Sequence, residues 1–254
     1  MSRIVLALAL LAVAACETVP VTGRSQLLLV SEGEETKMGI DAYQGILKKS
    51  KVSSDPRLNE QVTRVGQRIA AATGRNDYQW EFKVLEDAQA NAFCLPGGKV
   101  AVYTGILPIT RDDPGLAAVL GHEVSHAIAR HGGERMSQTL VVQTGLAATQ
   151  TALTGNDPLV VQSVTALLGA GASVGLLLPW SRSQESEADH LGLIYMAKAG
   201  YHPIAARDLW VRMGEASRGG STPPAFLSTH PSAATRVTQI EAWMPEALEY
   251  YHPR

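Results

Sequence analysis

No stretch restricts this chain more than residues 113–133. Asp113 followed by Pro114 reads as a helix cap with proline in the first turn, and Leu116, Val119, Leu120, Val124 and Ile128 recur at helical spacing until Gly132 and Gly133 read as the stop. Such a helix has an apolar face that the rest of the fold must cover. In its middle stands GHEVSH, residues 121–126. His122 and His126, four apart, project from the same side about one turn from each other, with Glu123 beside the first. A tetrahedral zinc site needs neutral imidazoles or anionic ligands about 2 Å from the metal, and a rigid helix supplies two at little entropic cost. A carboxylate at Glu123 would face the open side of such a metal, where it can take a proton from water. The same spacing also occurs in ordinary helices, so the reading needs a third ligand.

Two arrangements of that ligand are excluded. A metzincin pattern needs glycine at 129 and histidine at 132, but the chain has Ala129 and Gly132. His131, five residues past His126, lies about 140° around the helix from it. A third arrangement takes a glutamate from a second helix, and SRSQESEADHLG, residues 181–192, offers Glu185. Asp189 lies four residues on and shares its helix face, so Glu185 can reach the metal while Asp189 hydrogen-bonds a ligand histidine and sets its tautomer. Taken alone, this stretch reads as a solvated acidic face.

With 254 residues, 45% of them hydrophobic, the chain can bury a sizeable core, and its net charge of -2 excludes nucleic acid as a partner. A helix is predicted from Ser31, with Glu34 completing a capping box, and another from Asp55–Pro56 to Gly74. Trp80, Phe82 and Val84 alternate with polar residues as in a strand, and a turn at Pro96–Gly98 leads to a second β segment over Lys99–Tyr103. Further helices are expected over 183–198, 203–213 and 231–243. No internal repeat is present.

At the N-terminus, Arg3, the apolar run Ile4–Val13 and Ala14–Ala15 precede Cys16, which resembles a lipoprotein signal with Cys16 as the lipidated residue. Residues 1–15 are then the signal peptide and 16–30 a tether to a domain over 31–254. Glu17, where aspartate would retain a lipoprotein at the inner membrane, favours the outer one. Lipidation of Cys16 would leave Cys94 as a small buried hydrophobe with no disulfide partner.

From Leu140 to Leu178 the only charge is Asp157, and residues 159–178 are long enough for a transmembrane candidate. A lone span would place His122 and Glu185 in different compartments, so a packed or membrane-dipping helical hairpin, inserted over about 138–180, is the alternative. Core helices, a lid and a surface for lipid or an assembly partner are all open readings of it.

Four segments taken in order, NAFCLPGGKVAVYTGIL, GHEVSHAIARH, SRSQESEADHLG and STHPSAATR, resemble the gluzincin-type metalloproteases that include HtpX, the CAAX prenyl endopeptidases and bacterial periplasmic lipoprotein proteases. The resemblance implies an α+β, predominantly helical zincin-like domain with a small sheet beside the HExxH helix. It implies one zinc per chain on His122, His126 and Glu185, with Glu123 as catalytic base and Asp189 as a partner of a ligand histidine. By the same resemblance His230 stabilises the oxyanion or, in a resting form, approaches the metal, with Arg236 nearby. Asn91, Ala92 and Phe93 would lie on an edge strand that pairs with the backbone of a peptide substrate.

The expected protein is a zinc metalloendopeptidase acting on misfolded or misassembled cell-envelope proteins, lipid-anchored through Cys16 to the periplasmic face of a bacterial outer membrane, where it could meet assembly partners. One rival is a non-proteolytic envelope lipoprotein, a chaperone or assembly factor with a structural zinc; another is an integral membrane protease embedded through 159–178. A structural site needs no base at Glu123 and usually closes with four protein ligands.

Overall fold

The computed structural model describes residues 16–155, 157–173, 178–219, 225–230 and 235–253. The elements are β1 (Cys16–Thr18), β2 (Ser25–Leu27), α1 (Glu32–Lys49), α2 (Pro56–Thr73), β3 (Glu81–Leu85), β4 (Ala92–Leu95) and β5 (Lys99–Tyr103). A 3-10 turn (Thr104–Ile106) leads to α3 (Leu107–Thr110), α4 (Asp113–Ile128), α5 (His131–Ala152), α6 (Pro158–Ala172), α7 (Leu178–Lys198), α8 (Ile204–Gly219), α9 (Ala225–Thr229) and α10 (Thr235–Glu249). The architecture is α+β and predominantly helical, as expected. Two compact units emerge, one of Gly33–Ala129 with Glu185–Arg254, the other of the residues through Glu32 with Arg130–Gln184.

In the first unit a three-stranded sheet has the order β3-β5-β4, with β3 parallel and β4 antiparallel to the central β5. The period of two sorts its side chains. Ala92 and Cys94 pair with Val102 and Val100, and all four are buried. This face belongs to α2 and α4, which also pack on each other. On the opposite face Leu85, Phe93, Leu95, Ala101 and Tyr103 gather around Tyr43, Ile46 and Leu47 of α1. The Tyr43 hydroxyl donates to the carbonyl of Val100 at 3.1 Å, which pins α1 to the central strand. Burial pushes that phenol well above its ordinary range.

Local chemistry explains the helix ends. The Asp55 carboxylate accepts from the Arg57 amide at 2.9 Å, Pro56 takes the first turn, and Gly74 closes α2 in the left-handed region at φ 74°. In α4 the cap is Asp112, one residue before the expected Asp113, and its carboxylate accepts from Gly115 at 2.8 Å. Asp113 instead receives the side chains of Gln61 and Arg64 at 2.9 and 2.8 Å. The helix also stops earlier than Gly132. Arg130 turns left-handed at φ 54°, and Gly132 and Gly133 belong to α5. Two glycines do not end a helix when a break upstream already has.

In the second unit residues 16–27, expected as an irregular tether, form an antiparallel hairpin with Cys16 opposite Leu27. Arg24 holds Glu134 through two bonds of 2.7 and 2.8 Å, and Gln184 donates to the same carboxylate at 2.7 Å. The signal-peptide residues 1–15 lie outside the described residues. Among the described residues no helix is long and apolar enough to cross a membrane. Most of the described part of the 159–178 candidate lies in α6, whose 15 residues rise about 22 Å, short of the roughly 30 Å of a hydrocarbon core.

Candidate metal centre

The site is built from α4, α7 and the two segments that follow α8, all within one unit. His122, Glu123 and His126 sit on α4, Glu185 and Asp189 on α7, His230 just after α9, and Arg236 near the start of α10. All seven side chains are buried. The two long helices meet through glycines. A methyl group built on Gly121 would lie 2.9 Å from the Gly192 carbonyl oxygen, and one on Gly192 would lie 2.9 Å from both the Gly121 carbonyl carbon and the His122 nitrogen. Only two residues without side chains allow so close a backbone approach, and it places Glu185 opposite the histidine pair.

Four potential donors converge, one each from His122, His126, Glu185 and His230, all within 4.8 Å of one another. His122 Nε2 is 3.2 Å from His126 Nε2 and 3.1 Å from His230 Nδ1. The Glu185 carboxylate oxygens lie 2.8 Å from His230 Nδ1, 3.4 Å from His122 Nε2 and 3.5 Å from His126 Nε2. Corners of a tetrahedron with bonds of about 2.0–2.1 Å are separated by about 3.3–3.4 Å, so the set has the size a zinc ion requires.

Proton accounting points the same way. Asp189 Oδ1 lies 3.0 Å from His122 Nδ1, so that nitrogen carries the hydrogen and, in the neutral ring that a metal ligand must be, Nε2 turns a lone pair into the cluster. Arg236 Nη2 is 3.3 Å from the same Nδ1, but its hydrogens go to Asp189, which it grips at 2.6 Å through both Nε and Nη2. A lone pair facing two more imidazole nitrogens, beside a buried Glu185 Oε1 with no hydrogen-bond partner, is the donor set of a cation site.

Electrostatics is organised around this cluster. Burial opposes charge on His122, but hydrogen bonds to Asp189 and Glu185 outweigh it and raise its pKa to about 9 in the metal-free protein. Burial likewise works against the Glu185 carboxylate, yet its interactions with the His122, His126 and His230 rings hold it far below the ordinary range. Asp189 is also held low despite its burial, by the Arg236 charge and the His122 bond. Glu123 goes the other way. Its burial pushes the pKa up, only partly offset by the His230 and His122 charges. Its Oε1 lies 3.3 Å from His230 Nε2, outside hydrogen-bond geometry, and is unpartnered.

The structure brings His122, Glu123, His126, Glu185, Asp189, His230 and Arg236 together. Asn91, Ala92 and Phe93 are elsewhere on the sheet. β4 is an edge strand, and Ala92 faces α4, but the Phe93 ring points to the opposite face, where it meets Tyr103 edge-on at 6.3 Å. Along the edge it is the backbone of Ala92 and Cys94 that faces away from β5, because the Tyr103 amide donates to the Asn91 carbonyl at 3.0 Å and the alternation then turns the Phe93 backbone toward Ala101. Cys94 is a free, buried thiol, and burial together with the Glu123 charge raises its pKa far above the usual value.

Two aromatic residues outside the sequence motifs complete the site. Trp210 and Phe226 wall the His122 ring at 6.0 and 5.9 Å, and Phe226 lies 4.6 Å from the His230 ring. Arg236 stacks over Trp210 at 3.5 Å, which fixes the guanidinium that grips Asp189. The Phe226 amide donates to the Ala90 carbonyl at 2.8 Å and thereby ties the His230 segment to the sheet. Nothing in the local pattern around Trp210 or Phe226 marks them. Gly121 and Gly192 stood within the quoted motifs, but spacing alone does not reveal that they touch.

A buried histidine pair, a distal glutamate and an unpartnered glutamate beside them define the zinc-metallopeptidase class of site. The peptidase family M48 model matches residues 56–244, and the chain belongs to that family. It is 42% identical over 236 residues to the mitochondrial metalloendopeptidase OMA1 of Schizosaccharomyces pombe, covering 91% of this chain and 67% of that protein. Identity to the OMA1 metalloendopeptidase of Danio rerio is 36%, with 91% of this chain and 50% of that protein covered. The β-barrel assembly-enhancing protease of Yersinia pestis is 28% identical over 87% of this chain and 46% of its own length. The chain thus spans two thirds of the fission-yeast relative and about half of the other two. It is a zinc metalloendopeptidase.

These relatives correct the expected location. Relatives covering nine-tenths of this chain, from two yeasts, a plant and a fish, are mitochondrial metalloendopeptidases, not lipid-anchored proteins of a bacterial outer membrane. A short apolar stretch before a cysteine is a weak address, because the same composition serves other N-termini.

Proposed function

We propose that the chain hydrolyses peptide bonds in incompletely folded or misassembled proteins, with Glu123 as the general base. The reading rests on the convergence of three imidazole nitrogens and Glu185 next to an unpartnered Glu123 oxygen. His122, His126 and Glu185 would hold zinc, which when bound acidifies water and polarises a carbonyl. Asp189 and Arg236 would orient His122. Glu123 would take a proton from the attacking water and return it to the leaving amine. Burial raises the pKa of Glu123, which favours both transfers, since a more basic carboxylate takes and holds a proton more readily.

Among the described residues no strand lies beyond β4, which supports backbone pairing with an extended substrate at Asn91, Ala92 and Phe93. Such pairing selects for unfolded segments over particular side chains. Cell-envelope proteins are one substrate group within this reading, and the name of the Yersinia relative motivates it. Residues 31–254 would form the protease domain, with the helices of about 138–180 as an insertion.

His230 favours a second reading. It sits at the fourth corner of the donor set, 3.1 Å from His122 Nε2, where a hydrolytic water would have to stand. In the protease reading it swings aside and steadies the oxyanion; in a chaperone with a structural zinc it stays. Casein cleavage and zinc content of the wild type, Glu123→Gln and His230→Ala separate the two. The protease reading expects Glu123→Gln to keep zinc and lose about 10²–10⁴-fold in rate. Equal cleavage by the wild type and Glu123→Gln defeats it, and full zinc without cleavage in any of the three supports the chaperone.

A further inference from the structure

We propose that the α5–α6 hairpin is a membrane-interface element, whose outward apolar faces sink into the acyl region of one leaflet of a lipid bilayer. Between Arg135 and Arg182 the only charge is Asp157, at the hairpin tip. No residue of α6 is buried. Leu159 and Leu167 are 72% and 75% exposed, and Leu168, Leu140 and Val141 are exposed as well.

Gln143 and Thr144 of α5 are exposed as well, but most polar side chains of the arms do not oppose this. The hydroxyls of Thr149, Thr151, Ser163 and Thr165 each donate to the carbonyl four residues back at 2.7–3.0 Å, so they present little unmet hydrogen-bonding capacity. Gln150 and Gln162 line a cleft of about 610 Å³ between the arms, away from the outward faces.

Lipid fits this surface better than a protein does. Leu159 and Leu168, nine positions apart, lie about 180° apart around α6, and both are exposed. One docked partner covers one side of a helix, whereas acyl chains surround it. Among the described residues no helix is long and apolar enough to span, which places the hairpin in a single leaflet. Arg135 and Arg182, both exposed at the hairpin base, complement anionic headgroups.

The test floats the purified full chain with phosphatidylcholine vesicles, and with vesicles carrying about a third phosphatidylglycerol. The wild type is expected to float with both and more strongly with the anionic ones. Leu159→Gln combined with Leu167→Gln should lower partitioning by about tenfold or more, while Arg135→Gln with Arg182→Gln should lose only the anionic gain. Because α6 buries no side chain, the leucine variant should retain its melting temperature and its zinc. The proposal is overturned if the wild type stays lipid-free, or if the leucine variant floats equally well. It is overturned too if the wild type self-associates without floating and the leucine variant disperses it, since a second copy would then own the surface.

Discussion

Replacing Gly192 by alanine probes what holds the two ligand-bearing helices at working distance. The added methyl falls 2.9 Å from the Gly121 carbonyl carbon, 2.9 Å from the His122 nitrogen and 3.1 Å from the Gly121 oxygen, all of them backbone atoms. Ordinary carbon contacts begin near 3.5 Å, so α4 and α7 must part by about 0.5 Å. A metal site tolerates only about 0.2 Å in its ligand distances, and the donors here are divided between those helices. Overpacking costs about 1–3 kcal/mol, and each kcal/mol lowers the melting temperature by about 2–4 °C in a chain of this size. The expected drop is therefore about 2–12 °C in EDTA, with zinc affinity at least tenfold weaker by chelator competition and a matching fall in kcat/KM. Gly214→Ala in α8 is the control, because its methyl would meet nothing within 4 Å. Should Gly192→Ala melt, bind zinc and cleave casein like the wild type, the glycine contact does not set the site.

Other consequences are open to measurement. Asp189→Asn should weaken zinc binding by about 10–100-fold, because His122 loses the acceptor that sets its tautomer. It also leaves the Arg236 guanidinium buried and poorly paired, so urea unfolding at pH 7 should show a loss of about 3–5 kcal/mol. In the metal-free wild type, the depressed Asp189 and Glu185 carboxyls stabilise the fold above their unfolded values near pH 4, and that stability disappears as pH falls through the folded values. Urea midpoints between pH 2 and 7 should consequently fall less steeply on acidification in Asp189→Asn. Removing zinc from protein held at about a hundredfold excess over the dissociation constant should cost about 2.7 kcal/mol, a shift of roughly 5–11 °C in a calorimetric scan. A melting temperature indifferent to EDTA would count against a metal at this cluster.

The helices and strands were legible where their cause is local. Asp55–Pro56 and Gly74 marked α2 because caps act on the nearest backbone groups, and Phe82 and Val84 marked β3 because a strand alternates its faces. The misread end of α4 has a local cause too, but a different one: the left-handed Arg130 breaks the helix before the glycines are reached. The break is a conformation of a residue with no intrinsic preference for it, so composition does not announce it. Trp210 is unmarked in the sequence for a related reason, since an aromatic on a helix has the pattern of core and only the tertiary structure stacks Arg236 on it.

Residue order alone determined which side chains could act as a unit along one helix: His122 with His126, and Glu185 with Asp189, each pair four apart and so on one face. Tertiary structure decided that these pairs confront each other, with Asp189 67 residues from its partner His122 and His230 108 residues from the same ring. That decision depends on backbone approaching backbone at Gly121 and Gly192 and on rings packed around His122. Such contacts arise from packing between distant segments, and no periodicity within a segment encodes them.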